Sequence, residues 1–296
     1  MYIKSIIQLL RPEQWLKNMF IFLPAFFNGQ LWKINMLLPC IITFFAFSFA
    51  ASSVYCLNDI LDVDSDRLHQ KKCKRPVASG AISIKIAYAI MALCFSLFFI
   101  TLFTLGGEMK YRLIALITIY YVMNIVYCIK LKHYAIIDVT IISTGFVLRI
   151  LVGGVATGIW LSEWIIMMTF LLALFLAFAK RRDDVVMHQK TGTMLRKHTN
   201  RYNPEFLNQI ISIVSTIIII AYIMYTLSPE VTARFHSHYI YLTTVFVLIG
   251  IIRYLQITIV DLKSGSPTEI LINDRFIQIC LTGWIISFFV IIYMSK

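Results

Sequence analysis

The stretch Asn58-Asp59-Ile60-Leu61-Asp62-Val63-Asp64-Ser65-Asp66 directly follows an apolar run that ends at Leu57. Asp59, Asp62 and Asp66 are spaced by three and then four residues, so a helix carries them on one face. Like charges packed this way repel one another unless a cation lies among them. A divalent metal that holds a phosphorylated substrate meets this need, because Mg²⁺ favours a few carboxylates together with phosphate oxygens. A solvated acidic helix end is the alternative, but the chain is otherwise poor in acids and the metal site is favoured.

The composition around this stretch is that of a membrane protein. Of 296 residues, 59% are hydrophobic and only 14% are charged, whereas a soluble domain carries about 25% charged residues. We therefore expect an all-α polytopic membrane protein, in which helices satisfy the backbone polar groups. Apolar runs of spanning length predict about nine helices, at roughly 18–31, 36–57, 84–105, 111–129, 135–156, 163–179, 208–227, 237–257 and 276–294.

The first of these runs is the weakest, since Pro24 interrupts it and Gly29 ends it. No polar segment is long enough for a soluble domain, so one transmembrane catalytic domain is expected over residues 1–296. Residues 1–17 read as an interfacial segment that leads into the bundle. The six cysteines are scattered without a C-x-x-C pair and indicate neither a zinc site nor a disulfide framework.

The net charge of +12 comes mostly from basic residues between apolar runs. This pattern is typical of membrane topology and does not indicate nucleic-acid binding. It places the N-terminus and the loops after helices 2, 4, 6 and 8 in the cytoplasm, in a bacterial inner membrane. Most of the acidic residues fall on the same side. Acids and bases on one face predict a polar site at the cytoplasmic mouth of a helical bundle.

Two of the loops add candidate ligands for phosphate. Arg75 follows the acidic stretch and precedes Pro76, and an Arg can bind two phosphate oxygens at once. Lys71 and Lys72 could contact phosphate or only signal topology. Asp138 opens the fifth predicted helix, where it could bind substrate or complement the helix dipole.

Arg149 lies eleven residues beyond Asp138, about 16 Å along a helix and therefore near mid-membrane. A buried Arg at this depth either binds an anionic lipid head or holds the bundle together through carbonyls.

Two later loops carry further charges. Lys180-Arg181-Arg182-Asp183-Asp184 could face the first acidic stretch across a phosphate-bound metal pair, or its residues could pair locally. Ser266, Pro267 and Glu269 form a plausible helix-capping box. That box leaves Asp274 and Arg275 without an explanation.

Taken together, these motifs resemble the UbiA superfamily of intramembrane prenyltransferases over nearly the whole chain. Asn58, Asp59, Asp62 and Asp66 match its first Asp-rich motif, N-D-x-x-D-x-x-x-D, and the run from Arg75 to Gly80 matches R-P-x-x-S-G. The resemblance implies nine helices around a central cavity, cytosolic cap loops, and Mg²⁺ bound to a pyrophosphate.

Within the superfamily the chain looks most like the branch that transfers phosphoribosyl groups. Three features carry this: residues 11–18 (RPEQWLKN), residues 131–149 with Lys132, Asp138 and Arg149, and residues 266–275. The second Asp-rich motif is altered, because Lys180-Arg181-Arg182 occupies much of it and leaves Asp183 and Asp184. This departure puts a second full metal clamp in doubt.

The resemblance implies a donor, phosphoribosyl pyrophosphate, and an acceptor, a decaprenyl-like polyprenyl phosphate, within membrane lipids, for cell-wall lipid biosynthesis. Metal ligands are then Asn58, Asp59, Asp62 and Asp66, with Asp183 as a possible second-metal contact. The expected substrate-binding residues are Lys17, Asn18, Asn58, Arg75, Tyr127, Lys130, Lys132, Asp138 and Arg149. Two alternatives stay open: a prenyltransferase that acts on an aromatic or other small acceptor, and a membrane transporter.

Overall fold

The computed structural model describes residues 2–68, 72–191, 201–262, 270 and 272–294, and in this part of the chain every regular element is helical. The chain divides into two compact units, Met1–Ser162 and Glu163–Lys296. Lys71 and the predicted capping box at residues 266–269 lie outside the described residues.

The first unit contains seven α-helices and three 3₁₀-helices. The α-helices are α1 (Tyr2–Leu10), α2 (Leu23–Phe27), α3 (Ile34–Leu61), α4 (Val63–Arg67), α5 (Ile84–Phe103), α6 (Met109–Ile129) and α7 (Ile137–Thr157). The 3₁₀-helices are η1 (Pro12–Phe22), η2 (Lys72–Lys74) and η3 (Leu131–His133).

The described residues of the second unit also form helices. Its α-helices are α8 (Glu163–Thr191), α9 (Pro204–Leu227), α10 (Pro229–Phe235), α11 (Thr244–Ile259) and α12 (Arg275–Met294), and the 3₁₀-helix η4 (Tyr239–Thr243) leads into α11.

Seven helical stretches among the described residues are long and apolar enough to cross a bilayer. They are Ile34–Leu61, Ile84–Phe103, Met109–Ile129, Ile137–Thr157, Glu163–Met187, Pro204–Leu227 and Tyr239–Ile259, and a shorter apolar helix covers Arg275–Ile291. The predicted all-α membrane architecture is therefore confirmed, and the chain is an integral membrane protein.

The predicted first span, residues 18–31, is wrong as a single α-helix. The chain forms η1 up to Phe22, then the five-residue α2, and turns at Gly29 with φ 64. Pro24 has no backbone N–H to continue a helical ladder, and Gly29 takes up the left-handed conformation that ends it. An eleven-residue 3₁₀-helix such as η1 is unusually long, so its stability depends on what it packs against.

Helix α3 is the central element of the first unit, and α1, η1, α5, α6 and α7 all pack on it. Its buried face carries small residues such as Ala46, Ala50 and Ala51. In a membrane, small residues allow helix backbones to approach closely. The aromatic side chains Phe47 of α3 and Phe98 of α5 are part of the same buried core.

Close approach is tightest between α7 and η1. A Cβ atom built on Gly153 of α7 would lie 2.2 Å from the carbonyl oxygen of Ile21 in η1. Because that neighbour is backbone, it cannot move aside by a rotamer change. Gly153 therefore fixes how closely η1 approaches the bundle of the first unit.

In the second unit, two charged side chains anchor helix ends. Arg182 on α8 donates to the carbonyl oxygen of Thr258 in the last turn of α11, and to Asn208 on α9.

Asp274, unexplained by the sequence, accepts from the backbone N–H of Ile277 at 2.9 Å and caps α12. It also accepts two hydrogen bonds from Arg253, at 2.8 and 3.2 Å, and these lower the pKa of the Asp274 carboxyl.

We expect the substitution Gly153→Ala to destabilise the protein by about 1–3 kcal/mol, the usual effect of overpacking, because the new methyl group overlaps the backbone of η1. Thermal unfolding of the detergent-solubilised protein measures the effect. Gly250→Ala is the matched control, since its Cβ would meet only the Cβ of Cys280 at 3.6 Å. Equal unfolding temperatures for the two variants would contradict the close approach.

Candidate active site at the end of helix α3

The acidic stretch occupies a helix break. Helix α3 continues through Asn58 and Asp59 to Leu61, Asp62 leaves helical geometry with φ −95 and ψ 5, and α4 starts at Val63. The predicted single helical face is therefore interrupted at Asp62. Asp59 and Asp66 are nevertheless both buried, with 1% and 2% of their surfaces exposed. Two carboxylates of the motif are therefore shielded from water.

Arg75 holds these two buried carboxylates together. One guanidinium nitrogen, Nη1, lies 2.6 Å from Oδ2 of Asp66 and 3.3 Å from Oδ1 of Asp59. Buried charges are costly unless they are paired and hydrogen-bonded. Arg75 thus lies at the acidic stretch with carboxylates as its partners, and its expected role in binding substrate phosphate stays a prediction.

The R-P-x-x-S-G motif explains how Arg75 is held. The backbone N–H of Ser79 donates to the carbonyl of Arg75 at 2.9 Å, and the N–H of Ile82 donates to that of Pro76 at 3.0 Å. Gly80 adopts φ 79, a left-handed conformation that favours glycine. The motif is a compact turn that fixes the backbone of Arg75 beside α3.

Arg11 is a second cation at the same carboxylate. Its Nη2 forms an ion pair with Oδ1 of Asp59, and its guanidinium lies over the ring of Tyr55, 5.3 Å from the centroid. Sequence reasoning did not include Arg11 among the site residues. The available signal was its place directly before Pro12, at the head of the stretch 11–18 that carries the family resemblance.

Lys132 is the third cation. It lies on η3, after α6, and its Nζ forms an ion pair with Oδ1 of Asp62. Close by, the thiol of Cys128 donates to Oδ1 of Asn58 at 3.6 Å. The predicted association of the loop after helix 4 with the acidic stretch is therefore present for Lys132. Three separate segments thus bring one cation each to the carboxylates at the end of α3.

The other predicted substrate residues differ in their exposure. Lys17 is half-buried on η1, Tyr127 is half-buried on α6, and Lys130 is exposed at the end of α6. Asp138 is fully buried in the first turn of α7. Their assignment to the substrate stays a prediction.

Arg149 is buried, with 5% of its surface exposed, and makes three hydrogen bonds inside the first unit. It donates to Oδ1 of Asn18 at 2.8 Å, to the carbonyl of Gly145 at 2.7 Å and to the hydroxyl of Tyr120 at 3.3 Å.

The guanidinium of Arg149 also lies within 5.2 Å of the ring centroids of Phe47, Tyr120 and Phe146. Asn18 in turn donates to Ser48 of α3 at 2.8 Å. The geometry thus gives Arg149 the bundle-holding contacts foreseen as one of its two possible roles.

The acidic cluster can be tested for its fit to Mg²⁺ by its unpaired atoms. Oδ2 of Asp59 is buried and has no hydrogen-bond partner in the described structure, a costly condition for a carboxylate oxygen. Carboxylate and amide oxygens are the donors that Mg²⁺ takes. Among the described residues no three His, Cys, Asp or Glu side chains form a ready metal cluster. The fit to Mg²⁺ therefore rests on the unpartnered oxygen of Asp59 and on the oxygen-donor chemistry of the motif.

The second acidic point lies on α8, in the other unit. Arg181 forms an ion pair with Asp184 three residues later, at 2.9 Å, so local pairing is present there. Asp183 is buried, with 9% of its surface exposed. Whether it contacts a second metal stays a prediction.

The sequence profile of the UbiA prenyltransferase family matches residues 18–272. The chain therefore belongs to this family and is a transferase. This family membership confirms the resemblance inferred from the Asp-rich and R-P-x-x-S-G motifs.

Characterised relatives extend over nearly the whole chain. A decaprenyl-phosphate phosphoribosyltransferase of Corynebacterium glutamicum is 29% identical over 98% of this chain and 87% of its own length. The enzyme of the same name from Mycolicibacterium smegmatis is 30% identical over 99% of this chain and 94% of its own.

The fold is also that of solved family members. A UbiA homologue from Archaeoglobus fulgidus, solved with DMAPP and Mg²⁺, superposes with a TM-score of 0.69 over 97% of this chain and 99% of its own, at 19% identity.

Replacing Arg149 by Lys separates the two roles that the sequence left open for it. If it holds the bundle, Arg149→Lys lowers stability by about 2–4 kcal/mol, since several hydrogen bonds to a charged group are lost, and thermal unfolding detects this. Arg112→Lys, at an exposed site on α6, is the control and should change little. Unchanged stability together with a raised KM for the lipid substrate would instead assign Arg149 to an anionic lipid head.

Proposed function

We propose that this transferase moves the 5-phosphoribosyl group from phosphoribosyl pyrophosphate to a polyprenyl phosphate of the decaprenyl type and releases pyrophosphate. The observation that carries the proposal is the pair of buried carboxylates, Asp59 and Asp66, surrounded by Arg11 and Arg75. This site combines metal-type ligands with phosphate-type ligands. The full-length similarity to enzymes named decaprenyl-phosphate phosphoribosyltransferase supports the choice of donor and acceptor.

Asn58, Asp59, Asp62 and Asp66 would hold the metal, with Asp183 as a contact for a second ion. When bound, Mg²⁺ neutralises charge on the departing pyrophosphate. The unpartnered buried oxygen of Asp59 supports this assignment. So does the Archaeoglobus fulgidus homologue, which was solved with Mg²⁺.

The sugar phosphate would be held by the basic and polar side chains around the carboxylates. We assign this role to Lys17, Asn18, Arg75, Tyr127, Lys130, Lys132 and Asp138, with Arg149 supporting Asn18. Arg and Lys suit this task because a phosphoribosyl donor carries a 5-phosphate in addition to its pyrophosphate. The guanidinium of Arg75 can bind two phosphate oxygens at once.

The reaction would form a bond between an oxygen of the lipid phosphate and C1 of the ribose, while the bond from C1 to the pyrophosphate oxygen breaks. Positive charge develops on the sugar ring in an oxocarbenium-like transition state. The lipid phosphate is already ionised at neutral pH, so no side chain has to remove a proton from it. The residues around Asp59 and Asp62 therefore serve to bind and orient the two phosphorylated groups and to stabilise charge.

The donor is soluble and would enter from the cytoplasm, whereas the acceptor would come from the membrane. The basic loops support this proposal, because the positive-inside rule predicts that the end of α3 lies on the cytoplasmic side of a bacterial inner membrane.

A second candidate is transfer of a prenyl group from its pyrophosphate to an aromatic or other small acceptor. The family name and the DMAPP in the Archaeoglobus fulgidus structure favour it. Arg and Lys in place of much of the second Asp-rich motif speak against it.

A direct assay distinguishes the two reactions. Purified protein with Mg²⁺, phosphoribosyl pyrophosphate labelled in the ribose and a polyprenyl phosphate should transfer label to the organic phase. Label that stays in the aqueous phase, while a polyprenyl pyrophosphate and an aromatic acid react, would establish the second candidate.

Charge removal at the motif tests the residue assignment. We expect Asp59→Asn and Asp62→Asn each to lower turnover by at least about 100-fold, since metal ligands contribute several kcal/mol to the transition state. Asp64→Asn is the matched control, because the Asp64 side chain is 93% exposed and its ion-pair partner among the described residues is Arg67, at 3.7 Å. If the Asp59 or Asp62 variants keep a tenth of the activity, the metal has been placed on the wrong residues.

A further inference from the structure

The negative charges of Asp59 and Asp66 are matched by positive charges of the protein itself. Two buried carboxylates face two guanidinium groups, those of Arg11 and Arg75. Both arginines contact the same atom, Oδ1 of Asp59, while Oδ2 of that residue has no hydrogen-bond partner. One oxygen of Asp59 is therefore paired with two arginines of the protein, and its other oxygen is the one open to a further cation.

A divalent ion at Asp59 changes this balance. It brings two positive charges to a buried carboxylate that already has two arginines beside it, and like charges in a partly buried site repel strongly. Arg75 retains its shorter contact with Asp66, at 2.6 Å. Among the described residues the ion-pair partner of Arg11 is Asp59, so without that contact Arg11 would lose its pair whereas Arg75 would keep Asp66.

The backbone of Arg11 is held while its side chain remains accessible. Trp15 donates to Ser52 of α3 at 3.0 Å, and Ser52 donates to the carbonyl of Leu10 at 2.8 Å. Arg11 itself has φ 51 and ψ 61, a left-handed conformation that is strained for a residue other than glycine. Its side chain is 19% exposed. The fixed backbone of Arg11 thus directs its long cationic side chain toward Asp59.

We propose that Arg11 is a pyrophosphate-binding residue that pairs with Asp59 only while no metal is bound. When the ion takes the carboxylate, the guanidinium turns to the oxygens of the incoming pyrophosphate, which it can bind through two parallel hydrogen bonds. Arg11 thus makes metal binding weak without the donor and strong with it. The inference rests on the proposed function for its metal and its pyrophosphate-bearing donor.

Binding measurements on the purified full-length protein in detergent test this exchange. Mn²⁺ serves as the probe for the metal, with free Mn²⁺ measured by electron paramagnetic resonance, and inorganic pyrophosphate serves as the probe for the donor. For Arg11→Gln we expect Mn²⁺ alone to bind about tenfold more tightly, since its competitor is gone. Pyrophosphate at saturating Mn²⁺ should bind at least about tenfold more weakly.

Two further variants complete the test. Arg67→Gln removes one positive charge from the same region, where Arg67 is 57% exposed and pairs with Asp64, and it should change neither affinity. Arg11→Lys keeps a charge at Asp59 but loses the two-pronged geometry. It should leave Mn²⁺ affinity within about threefold and weaken pyrophosphate binding, and it serves if the Gln variant does not fold.

The opposite shifts of the two affinities are the decisive signature, because a residue with only a structural role would weaken both. If Arg11→Gln binds Mn²⁺ no more tightly than the wild-type protein, or binds pyrophosphate equally well, the exchange is wrong and the proposed function stands. If the wild-type protein binds neither Mn²⁺ nor pyrophosphate, the metal site itself is wrong.

Discussion

The structure of the first unit depends on how two carboxylates that are buried at the end of a membrane helix are given positively charged partners. Asp59 and Asp66 are almost fully buried, and an isolated buried carboxylate is far too costly to persist. The chain meets this requirement with cations from different segments: Arg11 before η1, Arg75 in the turn before α5, and Lys132 on η3 at the neighbouring Asp62. The acidic stretch therefore dictates where three other parts of the chain must lie.

This dependence explains why the turn before α5 and the segment η1 have so much local order. The turn before α5 is short, and η1 has a 3₁₀ geometry that is rarely stable over eleven residues. The turn is held by Gly80 and by backbone hydrogen bonds, and η1 by side chains that reach α3 and α7. In both cases the local order positions an arginine. Under the proposed function, arginines that are held in place by the backbone in this way contribute to electrostatic preorganisation.

Much of this architecture could be predicted from the sequence. Long apolar runs identify most of the spanning helices, because the bilayer leaves few other options, and the spacing of Asp59, Asp62 and Asp66 points to the site. The break at Asp62 could not be predicted, since the spacing suits a continuous helix. The role of Arg11 was missed for a different reason. The chain has 27 Lys and Arg residues, and only tertiary packing decides which of them reaches a given carboxylate. Arg253, within an apolar run, was overlooked in the same way until Asp274 appeared beside it.

The contacts between η1 and α3 follow an antiparallel order. Arg11 meets Asp59, Trp15 meets Ser52 and Asn18 meets Ser48, so each step forward in the N-terminal segment is a step back along the helix. The three contacts together fix the register between the N-terminal segment and α3. Insertion or deletion of a single residue between Arg11 and Asn18 would break at least one of these contacts and turn the other side chains away from their partners. Surface loops in general tolerate changes of length, whereas these three contacts require a constant number of residues between Arg11 and Asn18.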